Sequence, residues 1–167
     1  MTQDATLDIL KQALLLEKRG NAFYRKVAQN TTNSAVECFF NIMADEEAKH
    51  IQVITDQMRA YKSDGHLLST VFEDGEKSDA PSQILDPEQK SQIAAADFEA
   101  AAISAAIAME EKAIQLYADR AEAATDKTEK ALYNWLSGWE REHLNFLIDM
   151  DKELTEKVWY DQQFWPF

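Results

Sequence analysis

Two short segments of the chain share a Glu-x-x-His spacing, Glu47 to His50 and Glu140 to His143. Residues three positions apart lie on one face of a helix, so each pair could bind one metal ion through a carboxylate and an imidazole. A single pair of this kind is more often an ordinary solvent-exposed contact. The chain has only 3 His, however, and two of them stand in this pattern.

Both pairs belong to an internal repeat whose offset is always 93 residues. An ordinary amphipathic bundle repeats its apolar residues loosely and has no reason to repeat Glu and His on its buried face. The repeat therefore indicates one site built from both halves of the chain. The equivalent positions are Glu17 and Glu110, Tyr24 and Tyr117, Glu47 and Glu140, and His50 and His143.

Four of these positions are acidic, and two of the acids lie on apolar stripes. Carboxylates in such places are costly unless they are paired or metal-bound. Four that meet without a cation would raise one another's pKa and push the helices apart. Two divalent ions would balance four ionised Glu side chains. The sequence therefore predicts a two-metal site with the ligands Glu17, Glu47, His50, Glu110, Glu140 and His143.

The donor atoms of this set narrow the choice of metal. Carboxylate oxygen mixed with imidazole nitrogen, without thiolate, suits iron or manganese better than a closed structural zinc site. Calcium prefers oxygen ligands alone. We therefore expect two iron ions, with manganese or a mixed pair as the alternative.

Helical segments must position these residues, and helical periodicity covers most of the sequence. Ser34 with Glu37 predicts a capping box at the start of the second helix, and Asp126 with Glu129 does so for the fourth. The predicted helices run from about 4 to 29, from 34 to 61, from about 97 onward, and from about 126 to 157.

The long middle segment has a geometric explanation. Helices joined by short loops pack as antiparallel hairpins, which predicts one hairpin over about 4–61 and another over about 97–157. A helix of about 25 residues is roughly 37 Å long, and about 30 extended residues reach further than that. Residues 62–96 are therefore predicted to be a crossover, with a short helix starting near Asp86. The expected fold is an all-α four-helix bundle in a single domain over residues 1–167, with an aromatic tail at 158–167.

Composition excludes several other classes of function. The formal net charge of −13 repels phosphate backbones and anionic lipid, which argues against nucleic-acid and membrane-surface roles. The single Cys38 permits neither an intrachain disulfide nor a Cys-x-x-Cys metal site, and we expect it to be a small buried hydrophobe. No secretory pattern opens the sequence, and the longest nearly uncharged stretch is too short to span a bilayer. We expect a cytoplasmic protein.

The ligand pattern resembles that of the ferritin-like di-iron carboxylate proteins. The paired Glu-x6-Tyr pattern on the first and third helices is most similar to rubrerythrins, and the resemblance extends from about Ala13 to Asp149. It implies hydrogen bonds from Tyr24 and Tyr117 to the bridging carboxylates, although core packing explains the two tyrosines equally well. It also implies Glu17 and Glu110 as terminal ligands, Glu47 and Glu140 as bridges between the ions, and His50 and His143 as one nitrogen ligand for each.

Two departures from rubrerythrins affect the expected chemistry. Rubrerythrins carry a further Glu one turn after the third-helix ligand, whereas this chain has Ala113 there, which leaves six ligands as in bacterioferritin-type sites. Many rubrerythrins also have a four-Cys rubredoxin domain, and one Cys cannot form it. We therefore expect electrons to come from a separate donor such as a rubredoxin-like protein.

The residues that precede the bridging carboxylates differ between the halves, with Glu46 in one and Trp139 in the other. An acid at this position could accept the second N–H of a ligating imidazole, so Glu46 is expected to serve His143. Trp139 offers no acceptor, so His50 needs another partner.

Other conspicuous residues have ordinary interpretations. His66 is expected in a solvated loop, and Asp56 and Asp149 on outer faces. The aromatic residues of the last helix and the tail suit either core packing or a homodimer contact. They are Trp135, Trp139, Trp159, Phe164, Trp165 and Phe167.

The resemblance implies an oxidoreductase that reduces hydrogen peroxide or O2 at a di-iron centre, with ferrous-iron oxidation as a related activity. Two alternatives remain open from the sequence. One is a non-enzymatic protein that binds or buffers iron, and the other is a structural bundle stabilised by metal.

Overall fold

The computed structural model describes residues 3–69, 88 and 97–161. The elements within them are long α-helices without any strand, which confirms the predicted all-α four-helix bundle. Their bounds are α1 Gln3–Asn30, α2 Ser34–Asp64, α3 Asp97–Ala123 and α4 Lys127–Asp161.

The helix ends follow local sequence signals. The cap of α2 is Asn33 and not the predicted Ser34, because the Asn33 side chain accepts hydrogen bonds from the backbone N–H groups of the first turn. At its other end, Gly65 takes a left-handed conformation with φ 73° and donates its N–H to the Tyr61 carbonyl. Asp126 caps α4 as predicted, with Oδ1 2.9 Å from the Glu129 backbone nitrogen.

Helix directions follow from contacts between the helices. Asn21 donates to the Ala44 carbonyl at 2.6 Å, so α1 and α2 form an antiparallel hairpin around a short loop. Tyr24 meets Glu110 while Tyr117 meets Glu17, so α1 and α3 are also antiparallel.

It follows that α2 and α3 are parallel, so the end of α2 and the start of α3 lie at opposite ends of the bundle. A helix of 31 residues is about 46 Å long, and the connection must cover that distance. Most of the predicted crossover, residues 70–87 and 89–96 with the short helix near Asp86, lies outside the described residues.

Two apolar clusters fill the bundle, one on each side of a polar layer. One contains Tyr24, Phe39, Phe40, Met43 and Phe146 among others. The second contains Leu10, Ile54, Tyr117, Leu132 and Leu136 among others. Every helix contributes to both clusters, and the predicted ligand positions fall between them along each helix. The polar layer is therefore enclosed above and below by packed hydrophobic side chains.

Surface positions agree with the sequence in most cases. His66 is exposed, and Asp56 and Asp149 pair with Arg59 and Lys152 on outer faces. The prediction that Cys38 is buried is wrong, since the thiol faces solvent in the first turns of α2. None of the described helices combines the length and the apolar character that crossing a membrane requires. Residues 158–161 continue α4, and the rest of the aromatic tail lies outside the described residues.

Candidate metal centre

All six predicted ligand side chains meet in the polar layer, and each is at most 3% exposed. They form two overlapping groups in which one potential ligand atom from each residue lies within 4.8 Å of the others. The two groups are Glu17, Glu47, His50 and Glu140, and Glu47, Glu110, Glu140 and His143.

The overlap of the groups separates two kinds of carboxylate. Glu47 and Glu140 belong to both groups and are here called the bridging pair. Glu17 and Glu110 each belong to one group and are called the terminal pair. This division has the form that a two-ion site requires, in which shared carboxylates hold both ions together.

Small residues on α1 and α3 leave space for the side chains of the bridging pair. A Cβ atom added at Gly20 would lie 3.3 Å from the carboxyl carbon of Glu47, tighter than an ordinary contact. Gly20 therefore lets the Glu47 carboxylate pass under α1 towards the centre of the bundle. The repeat places the small Ala113 at the corresponding position of α3, where it is 7% exposed.

Both histidines direct Nδ1 towards the carboxylates. His50 Nδ1 is 3.0 Å from a Glu17 oxygen and 2.9 Å from a Glu140 oxygen. His143 Nδ1 is 3.3 Å from a Glu140 oxygen and 3.7 Å from a Glu47 oxygen. Each imidazole thus contacts carboxylates of both hairpins with the same ring nitrogen.

Several polar atoms in the layer are buried without a hydrogen-bond partner among the described residues. They are both oxygens of Glu140, both ring nitrogens of His143 and Nε2 of His50. The Glu140 oxygens lie close to the imidazole nitrogens but without hydrogen-bond geometry. Atoms buried in this way are costly unless something compensates them, and a cation placed between them does so.

The electrostatics of the layer also favour a bound cation. Among the described residues, the ion pairs of the four carboxylates are with the two histidines alone. Burial, reinforced by the charge of Glu140, raises the pKa of Glu47 and of Glu110 well above the usual range. Additional positive charge in the layer would therefore favour the ionised forms of Glu47 and Glu110.

The two halves differ in how they hold their titratable groups. Burial opposes ionisation of Glu17, yet the hydrogen bond and charge of His50 outweigh it and lower the pKa to about 2. Burial likewise opposes protonation of His50, but the charges of the neighbouring carboxylates, Glu140 foremost, raise its pKa well above its usual value. Burial dominates at His143 and lowers its pKa.

Two buried tyrosines cross-link the terminal pair. Tyr24 on α1 donates its hydroxyl proton to Glu110 on α3, and Tyr117 on α3 donates to Glu17 on α1. The predicted hydrogen bonds to the bridging carboxylates are therefore wrong, because each phenol reaches across to the terminal carboxylate of the opposite hairpin. Burial and the neighbouring carboxylates raise the pKa of both phenols, which keeps them protonated donors.

The expected contact between Glu46 and His143 is also wrong. One Glu46 oxygen accepts the indole N–H of Trp139 at 3.1 Å, and the second accepts from Lys49 at 2.7 Å. Trp139 thus donates a hydrogen bond to Glu46, which occupies the equivalent position of the repeat 93 residues earlier. The two equivalent positions carry different residues, and these residues bond to each other across the bundle. The shared offset was the sequence signal for this pair.

Aromatic rings cover the His50 side of the layer, a feature the sequence did not single out. The Trp139 ring stands edge-on to His50 at 4.7 Å between centroids, and Trp135 packs against Trp139 at the same distance. Packing is therefore the confirmed interpretation of Trp139, which is 8% exposed.

The fold and the donor set define a class of protein: a four-helix bundle with a buried carboxylate and histidine cluster suited to metal. Comparison with protein families identifies the Rubrerythrin family over residues 8–151, and the chain belongs to that family. Comparisons with curated proteins and with solved structures gave no match. Rubrerythrins typically bind iron, and the six donor groups here fit a pair of such ions in number, charge and position.

Proposed function

We propose that this rubrerythrin-family chain is a di-iron oxidoreductase that reduces hydrogen peroxide or O2. The observation that carries the proposal is a buried layer of four carboxylates and two imidazoles, shared between all four helices and lacking compensating Lys or Arg among the described residues. A bound pair of iron ions would supply the two electrons for such a reduction.

Each ligand residue has a distinct task in this proposal. The bridging pair would hold both ions, because each carboxylate belongs to both groups. One terminal Glu and one His complete each group. Two divalent ions would carry the charge that four ionised carboxylates require, so binding would also offset the repulsion among these carboxylates.

The tyrosines orient the terminal pair. Each phenol holds one oxygen of its carboxylate by a hydrogen bond, and the second oxygen of Glu17 lies 3.0 Å from His50 Nδ1. Groups that orient ligands in this way typically change metal affinity by about 10–100-fold when removed. The apolar clusters on either side exclude bulk water from the ends of the layer.

The route of electrons, the cell compartment and the assembly are part of the same proposal. We expect a separate donor of the rubredoxin type, because the chain has only 1 Cys and cannot form a four-Cys iron site itself. A reducing cytoplasm suits such a donor. The homodimer remains a prediction that size-exclusion chromatography with light scattering tests.

The decisive experiment measures peroxide consumption with reduced rubredoxin as donor. The iron-loaded chain should consume peroxide, and Glu47→Gln should lower the rate by about a hundredfold or more because it removes a shared carboxylate. Glu37→Gln changes an exposed Glu on the same helix and serves as the matched control. Equal rates for the chain and for Glu47→Gln would defeat the proposal.

Two related roles are separated by metal analysis and by the fate of the electrons. Iron near two per chain with the absorption of a bridged ferric pair is expected. Metal that binds and leaves without consuming oxidant would instead indicate iron buffering. If chelation lowers the melting temperature but neither colour nor redox chemistry accompanies the metal, the bundle uses metal for stability alone.

A further inference from the structure

A pocket of about 200 Å³ opens between α1 and α3 and reaches the polar layer from the side. Its ten lining residues are five pairs related by the repeat offset, so the pocket has the same internal symmetry as the site. The pairs are Leu16 and Met109, Glu17 and Glu110, Arg19 and Lys112, Gly20 and Ala113, and Glu47 and Glu140.

The floor of the pocket is the site itself. It consists of the terminal pair and the bridging pair, including Glu140, whose two oxygens are buried without a hydrogen-bond partner. The small residues Gly20 and Ala113 line the wall on opposite helices. A molecule in this pocket would therefore touch the ligand carboxylates without any helix having to move.

The rim carries positive charge in a strongly acidic chain. Arg19 and Lys112 are exposed pocket-lining residues, and neither forms an ion pair or side-chain hydrogen bond with the other described residues. The formal net charge of the chain is −13. Two unpaired cations at the rim raise the local potential, which attracts small anions and repels hydrated divalent cations.

We propose that this pocket is the access route of the oxidant, and that Arg19 and Lys112 make it selective for small anions and small neutral molecules over metal cations. The inference rests on the proposed function, because it assumes a metal-loaded layer. It also favours peroxide over soluble ferrous iron as the substrate that arrives by this route.

Azide is a suitable probe, since it is a small monoanion that binds ferric iron. We expect Arg19→Glu with Lys112→Glu to raise the dissociation constant of azide for the iron-loaded protein about tenfold at low salt. The same double variant should load Fe²⁺ into the metal-free protein faster, because the rim no longer repels cations. Opposite effects on the two ions are the signature of charge selection.

Salt and a matched variant separate the rim from general charge. Both effects should fade between about 0.01 M and about 1 M salt, where the screening length falls from about 30 Å to about 3 Å. Lys26→Glu with Lys130→Glu changes the net charge equally at exposed positions outside the pocket, and should behave as the unchanged protein. If this control shifts azide affinity as much as the rim variant, the proposal is overturned.

A steric variant tests the route independently of charge. Met109→Trp enlarges a half-buried side chain of the pocket wall without altering a predicted ligand, and should slow azide binding about tenfold while iron content stays unchanged. Azide binding at an unchanged rate would show that small anions reach the site elsewhere, which overturns the proposal.

Peroxide turnover distinguishes failure of this inference from failure of the proposed function. Charge-dependent azide binding without turnover of either peroxide or O2 would overturn the function and support the access route. Peroxide turnover together with azide binding that ignores the rim charges would support the function and overturn the access route.

Discussion

The two hairpins of the bundle match at the ligands and differ in their surroundings. Each supplies one terminal Glu, one bridging Glu and one His at positions 93 residues apart, and each donates a tyrosine hydrogen bond to the other's terminal carboxylate. The residues next to the ligands differ between the two hairpins. The first hairpin places the acidic Glu46 beside its bridging carboxylate, and the second places Trp139 there.

This difference separates what the proposed metal site requires from what it tolerates. Charge balance fixes four carboxylates and two imidazoles, because a missing or extra charge in a buried layer is severely unfavourable. Neighbouring positions have to satisfy only their own hydrogen bonds. Glu46 and Trp139 do so with each other, so their chemical types diverge while the ligands stay the same.

The largest expected effect tests whether the bridging pair is shared. Glu47→Gln and Glu140→Gln should each abolish binding of both ions, because each change affects both ligand groups. Glu17→Gln and Glu110→Gln should each weaken one ion and leave the other. Iron content and Zn²⁺ titrations measure the difference, and equal losses for bridging and terminal changes would contradict the assignment.

The tyrosines test the symmetry of the two halves. Tyr24→Phe and Tyr117→Phe each remove one buried hydrogen bond to a terminal carboxylate, and each should lower the affinity of one ion by about 10–100-fold. Competition with a chelator of known affinity measures the loss. A large effect at one tyrosine and none at the other would break the proposed equivalence.

The histidines should respond differently to pH. The charges of the neighbouring carboxylates, Glu140 foremost, outweigh burial and raise the pKa of His50, so metal must displace a proton there, whereas burial lowers the pKa of His143 and keeps it neutral. Affinity at the His50 group should therefore rise by up to about tenfold per pH unit through neutrality, with less change at the His143 group. Zn²⁺ titrations of His143→Ala and His50→Ala, each retaining one histidine, measure this contrast, and equal slopes would contradict it.

The smallest expected effect concerns the hydrogen bond between Trp139 and Glu46. Trp139→Phe removes the indole N–H from Glu46 but leaves the Lys49 contact, so the metal-free protein should lose about 1 kcal/mol of stability. The melting temperature should fall by about 2–4 °C in a chain of this length. Trp135→Phe, which leaves the hydrogen bond to Glu46 in place, is the control. A larger loss for the control would assign the stability to ring packing.

The sequence was sufficient for the fold and for the choice of residues that meet in the site. Repetition at one offset identified the six side chains, because charge balance leaves little freedom in what a buried layer can contain. Helical periodicity and capping residues gave most helix ends to within a few residues, although the cap of α2 lies one position earlier, at Asn33.

The individual hydrogen bonds could not be predicted. Whether Tyr24 reaches a terminal or a bridging carboxylate depends on helix rotation and rise over a few ångströms, and spacing along the chain does not fix these. The same limit explains why Glu46 was assigned to His143 when its partner is Trp139. Cys38 was misplaced because cysteine packs as a small hydrophobe on average, whereas this position falls on the outer face of α2.

The sharing of ligands between hairpins has a mechanical consequence. Each group takes three side chains from one hairpin and one bridging carboxylate from the other. An isolated hairpin would therefore offer an ion only three of the four ligand residues. The fourth ligand comes from the other hairpin, so a bound ion would link the two hairpins. The ions would therefore cross-link the bundle. Removing them should weaken the packing of one hairpin against the other, while each hairpin keeps its own helices.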